Sequence, residues 1–105
     1  MKIKTLRHGD IVDIFAIYNV GDREVFLGLP KNQGGLVTFN SDECEVIDAS
    51  LNGRYVYFEN DGGGVFHWAL IEERLLDDVL EHDDDAYKKF VEILKSEGQL
   101  EEDFY

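Results

Sequence analysis

The sequence has one cysteine, one proline and one tryptophan in 105 residues, and only 10 Lys+Arg against 23 Asp+Glu. The lone Cys44 cannot close an internal disulfide, so a disulfide scaffold is excluded and a cytoplasmic protein is expected. The formal charge of −13 disfavours direct contact with DNA, RNA or anionic lipid, each of which would repel the chain. No apolar run approaches the roughly 18 residues of a membrane span. No apolar stretch follows the basic Lys2, Lys4 and Arg7, so no signal peptide is expected. No stretch rich in Pro, Ser or Gly divides the chain, and residues 1–105 are expected to form a single domain.

The apolar content is ample. It reaches 44%, with seven Phe and five Tyr, which is too much for a disordered acidic tail. A chain of this size buries roughly two-thirds of its unfolded surface. Six segments read as strands from their β-branched and aromatic residues: 11–18, 24–29, 36–39, 44–49, 54–59 and 65–71. Asn19-Val20-Gly21-Asp22, Pro30–Gly35, Asn40-Ser41-Asp42 and Asn60–Gly64 separate them as turns or loops. Asn52-Gly53 predicts a type I′ hairpin joining the fourth and fifth strands, because both residues tolerate positive φ. Close strand spacing implies an antiparallel meander rather than βαβ units.

The period changes at residue 72. Leu75, Leu76, Val79 and Leu80 predict a helix over 72–81. Asp83-Asp84-Asp85 interrupts it and offers an N-cap to a second helix, whose apolar stripe is Tyr87, Phe90, Val91 and Leu94. Lys95 in the last turn and Gly98 beyond it mark the stop. The expected class is α+β: a curved antiparallel sheet or half-barrel of about six strands (about 11–71) followed by two C-terminal helices (about 72–97).

Charge is unevenly spread. Residues 72–105 hold 13 acids and 4 bases, residues 1–71 hold 10 acids and 6 bases. The dense part is Glu72, Glu73, Asp77, Asp78, Glu81, Asp83, Asp84 and Asp85. On one helix Glu73, Asp77 and Glu81 would share a face, where like charges cost tenths of a kcal/mol. A solvated face explains such a run through solubility; a docking surface for a basic partner explains it through faster association. Alternation in the fifth and sixth strands favours Val56, Phe58, Phe66, Trp68 and Leu70 as the core set. Tyr55, Tyr57 and His67 then lie on the second face, where tyrosines suit a protein-binding surface unless the helices cover them.

Motifs for chemistry are scarce. Gly62-Gly63-Gly64 precedes a strand without Gly-Lys-Ser/Thr and reads as a hairpin loop. His8, His67 and His82 follow no metal-ligand spacing, and His82–Asp85 lacks the spaced oxygens and turning glycine of a calcium loop. Ser41, Ser50 and Ser96 sit in no nucleophile elbow. Acids near Cys44 raise its pKa and argue for an inert thiol. No catalytic residue, metal or cofactor is expected.

Length, one cysteine, strong acidity, the α+β pattern and the lack of an active-site motif together resemble the small acidic immunity proteins of bacterial toxin–immunity pairs, such as those of contact-dependent inhibition systems. The resemblance spans the chain and rests on its type, with no motif matched residue by residue. It implies a cytoplasmic, non-enzymatic, stoichiometric inhibitor that binds a basic cognate toxin domain, often a nuclease, and blocks its active site. The partner-binding set expected here is Glu72, Glu73, Asp77, Asp78, Glu81, Asp83, Asp84 and Asp85, with Tyr55 and Tyr57. Two other readings use the same features: a nucleic-acid mimic that blocks a defence nuclease, and a small barrel-like adaptor or phage module whose acids serve solubility.

Overall fold

Lys2-Ile3-Lys4-Thr5 alternates basic and other side chains, and in the computed structural model, which describes residues 1–59 and 63–104, it forms strand β1 (Lys2–Thr5) with Ile3 fully buried. β1 pairs antiparallel with β2 (Ile11–Val20), and a two-residue turn with Gly21 at φ 61° leads into β3 (Arg23–Leu29). β3 pairs with β4 (Val37–Asn40), and a 3-10 turn at Ser41–Glu43 carries the chain to β5 (Cys44–Asp48) on the outer edge of β1. β6 (Tyr55–Phe58) and β7 (Gly64–His67) form a hairpin, with β7 paired to Ala16–Tyr18 of β2. The long β2 therefore carries β3 along one side, and β1 followed by β7 along the other. Helices α1 (Trp68–Glu72), α2 (Leu76–Leu80) and α3 (Asp84–Ser96) complete the chain. The α+β class, with an open antiparallel sheet followed by C-terminal helices, is as the sequence reading expects.

The core lies on both faces of the sheet, and a bulge resets the alternation within β2. Register shifts between Ile14 and Ala16, so Phe15 is an extra residue. Ile14 packs with Ile3, Val12 and Phe26 on one face, whereas Phe15 and Ala16 both join the cluster under the helices. Phe15 meets Phe90 of α3 edge-on at 5.7 Å between ring centroids. The α3 stripe Tyr87, Phe90, Val91 and Leu94 is buried against the sheet, as its spacing predicts. Emptying the Phe90 site would cost about 3–5 kcal/mol. On the other face a side chain at Gly28 would sit 2.7 Å from Val12 and 2.8 Å from Phe39, so only glycine fits there.

Several expectations need correction. Among the described residues the sheet has seven strands, because β1 precedes the first expected one. Strand 65–71 ends at His67; Trp68 begins α1, and the His67 side chain caps it by accepting the Ala69 N–H at 3.2 Å. The helix expected over 72–81 is two short helices separated at Arg74, which has φ 55°. Among the described residues there are thus three C-terminal helices, starting at 68. Asn52-Gly53 makes no hairpin between the fourth and fifth expected strands. β5 pairs with β1 and β6 with β7, and only Gly53 of the two residues has positive φ, at 87°. The start of the second α-helix expected at Asp83 does stand: Asp83 accepts the Ala86 N–H at 2.9 Å, and Gly98 follows α3 at φ 74°. The loop expected over 60–64 falls in part on residues 60–62, outside the described residues.

Candidate functional site

The acids of residues 72–85 divide by what they touch. Glu72 receives a two-pronged bond from Arg54, one prong at 2.9 Å, and the guanidinium holds its carboxyl below the usual range. Arg54 in turn lies 5.2 Å from the Trp68 ring centroid, so Glu72 ties β6 to α1. Glu73 caps the C-terminus of α1 and pairs with Lys89 of α3 at 3.7 Å. Asp83 caps α3, Asp84 pairs with Lys88 at 3.0 Å, and Asp84 and Asp85 favour the positive end of the α3 dipole. These acids have work within the fold.

Asp77 and Asp78 lie in the first turn of α2, but they and Glu81 make no side-chain bond among the described residues. All three are exposed on α2 and its C-cap, and none is in an ion pair among the described residues. The Glu81 N–H donates to the Asp77 carbonyl at 3.0 Å, so these two share a helix face as their spacing predicts. Glu73 is not on that helix. The expected three-acid stripe is therefore a pair, with Asp78 beside it.

Next to these acids lies an apolar groove that the sequence reading missed. Tyr18 and Val20 of β2, Phe58 of β6, Phe66 of β7, and Leu76 and Leu80 of α2 line a hollow of about 260 Å³, with Asp77 on its rim. Val20 is 49% exposed and Phe58 37%, both high for large apolar side chains beside a core. A second hollow, lined by Phe58, Leu70, Ile71, Arg74, Leu76 and Asp77, adjoins it across Phe58 and Leu76. Phe58 stands on the Phe66 side of its hairpin as alternation predicts, with its ring 6.1 Å from that of Phe66, but the helices stop short of covering it.

The tyrosines do not join the acids. Tyr57 is 66% exposed on the opposite side of β6 from Phe58. Tyr55 is half-buried; its hydroxyl donates to the Ile14 carbonyl at 3.3 Å, and burial pushes its pKa up to about 12. It serves the fold by tying β6 to β2 at the bulge. His67, expected on an open face with them, is fully buried. Its Nδ1 accepts the Ala69 N–H, so the ring proton sits on Nε2 and is donated to Glu97 at 2.7 Å. Glu97 also accepts from Trp68 Nε1 and Gln99 Nε2, each at 2.7 Å. Both His67 nitrogens are thus committed to joining the end of α3 to the β7–α1 corner.

Cys44 is half-buried, and burial followed by Glu43 and Asp42 pushes its thiol up. Among the described residues no group of three or more His, Cys, Asp or Glu could hold a metal ion, and no helix is long and apolar enough to cross a membrane. Compared with known proteins, the chain matches no family model, no curated protein and no solved structure.

Proposed function

We propose that this chain is a stoichiometric protein inhibitor of the immunity-protein kind, acting without catalysis in the cytoplasm on a basic toxin, a nuclease by preference. The observation that carries the reading is the set Asp77, Asp78 and Glu81: exposed and unpaired among the described residues, in the third of the chain that carries 13 acids against 4 bases. Asp77 and Asp78 gain a little from the positive end of the short α2, but among the described residues no cation pairs with them or with Glu81, and like charges one turn apart cost tenths of a kcal/mol. Against a cleft built to hold phosphates the same charges are complementary, speed encounter and compete with nucleic acid. The other acids of the set, Glu72, Glu73, Asp83, Asp84 and Asp85, widen the negative field while anchoring the fold.

The test has two stages. The tagged chain is used to capture partners from lysate of its source cells at low and at high salt. The captured protein is then purified and its own activity titrated with the chain. One basic protein retained at low salt and fully inhibited at a one-to-one ratio is the expected result. A retained partner that keeps its activity, or the lack of any basic partner at low salt, would overturn the reading.

A further inference from the structure

We infer that the groove between the β6–β7 hairpin and α2 receives one large apolar side chain of the basic partner, while Asp77, Asp78 and Glu81 pair with Lys or Arg residues flanking that anchor. The inference rests on the acidic-face reading above and adds the chemistry that would make it selective.

Tyr18, Val20, Phe58, Phe66, Leu76 and Leu80 make up most of the groove's wall, and Asn19 and Asp77 are its polar members. Its volume of about 260 Å³ lies below the ~300–1,000 Å³ typical of small-molecule sites, which favours a side chain as occupant. Interface energy concentrates in anchors seated in such pockets, ringed by groups that exclude water. Here the ring is charged on one side. Asp77 sits on the rim itself, Asp78 follows it, and Glu81 lies one helical turn on. Asp77 also lines the adjoining hollow, where Arg74 is the one basic member of the lining. Exposed carboxylates alone discriminate poorly among basic proteins. An apolar anchor that must fit between Phe58 and Leu80 adds the discrimination that charge lacks.

The probes are three 15-residue peptides: one rich in Lys and Arg with a single central Leu, the same peptide with Ser for Leu, and one with Glu replacing every Lys and Arg around the Leu. Each is titrated into the isotope-labelled chain and followed residue by residue by NMR, with sedimentation of the chain alone as a companion measurement. The basic Leu peptide is expected to shift Tyr18, Val20, Phe58, Leu76 and Leu80 together with Asp77, Asp78 and Glu81. Its affinity is expected to fall about tenfold on Leu→Ser in the peptide, and similarly for Val20→Ser or Phe58→Ser in the chain. Both chain positions are surface-exposed, and a thermal melt verifies that each variant folds. Equal binding by the Ser peptide, with shifts at the acids alone, would overturn the groove and leave the acidic face standing. Equal binding by the Glu peptide would overturn the assigned partner chemistry. No binding by any peptide, or shifts elsewhere, would overturn the inference. So would a dimer of the chain that Val20→Ser dissolves, because a second copy would then be the occupant.

Discussion

Replacing Glu97 by alanine should unfold this protein at markedly lower temperature, and the size of the effect can be built from its contacts. The carboxylate accepts three hydrogen bonds, from His67 Nε2, Trp68 Nε1 and Gln99 Nε2, each at 2.7 Å. The donors differ in what they lose. His67 is fully buried, so its N–H would be left without a partner or water, at a cost of about 1–3 kcal/mol. The Trp68 indole is half-buried and can turn toward solvent, losing roughly 0.5–1 kcal/mol. Gln99 belongs to the last turn near the surface and loses little. The sum is about 2–4 kcal/mol, or roughly 10–20 °C in Tm for a domain near 100 residues. Glu97→Gln keeps one acceptor but turns an NH2 toward a donor, and should lose about half as much. The sign with pH follows from the same contacts. Burial would raise the Glu97 pKa, but the bonds from Trp68, His67 and Gln99 outweigh it and hold the group below its ordinary 4.5. Its contribution is therefore present above that value and is lost as pH falls through the lower, folded-state value. Denaturant titrations of both variants and the parent at neutral and acid pH test this. A Glu97→Ala loss under about 0.5 kcal/mol, or a parent–variant gap that widens on acidification, would refute the reasoning.

Three further predictions follow from single sites. The Tyr55 phenol, pushed from 10 to about 12 by burial, should ionise late in an absorbance titration compared with the Tyr55→Phe variant, and its stabilisation should fade as pH rises from 10 toward 12; an ordinary titration at Tyr55 would mean that its ring is not buried against β2. Gly35→Ala should cost about 1–3 kcal/mol by chemical denaturation, because the added methyl would collide with the His82 ring and the Val79 carbonyl where the β3–β4 loop clamps α2; an unchanged midpoint would show that the clamp yields. Tyr87→Phe should leave stability unchanged or raise it by about 1 kcal/mol, because the buried hydroxyl has no partner among the described residues; a clear loss of stability would reveal a bond to that oxygen.

What the sequence disclosed depended on whether the signal was local. The α3 stripe, the Asp83 cap and the Gly98 stop are readable because period, cap and terminator all lie within one element. The β2–β3 hairpin and β4 follow from β-branched runs closed by glycine. The start of α1 was hidden, because Val65–Ile71 is a short apolar run that fits strand or helix equally, and its cap is a histidine rather than Ser, Thr, Asp or Asn. The break between α1 and α2 was hidden because Arg74 takes the left-handed conformation that glycine usually marks. β1 carries one apolar residue, Ile3, and shows itself only through what Ile3 packs against. Asn52-Gly53 misled because burying Ile3 between β2 and β5 settles the pairing of β5, and a turn preference is weak beside a packed pair.

The candidate site divides the same way. The exposed acids Asp77, Asp78 and Glu81 were visible as composition. Which acids are already engaged was not, since Arg54 meets Glu72 across 18 positions and Lys89 meets Glu73 across two helices. The groove was out of reach for a further reason. Alternation put Phe58 on the core face, and it stays 37% exposed there because burial depends on where the helices pack, which alternation does not encode.

The central claim is that the unpaired acids of α2 bring a basic partner onto this surface. Its most direct test is the association rate with the captured partner, measured while ionic strength rises from about 0.01 M to about 0.15 M. Over that range the screening length contracts from about 30 Å to about 8 Å. The account predicts a rate that falls about tenfold or more, and an Asp77→Lys, Asp78→Lys, Glu81→Lys variant that associates slowly at every salt concentration. A rate indifferent to salt, with the reversed variant associating as fast as the parent, would contradict it.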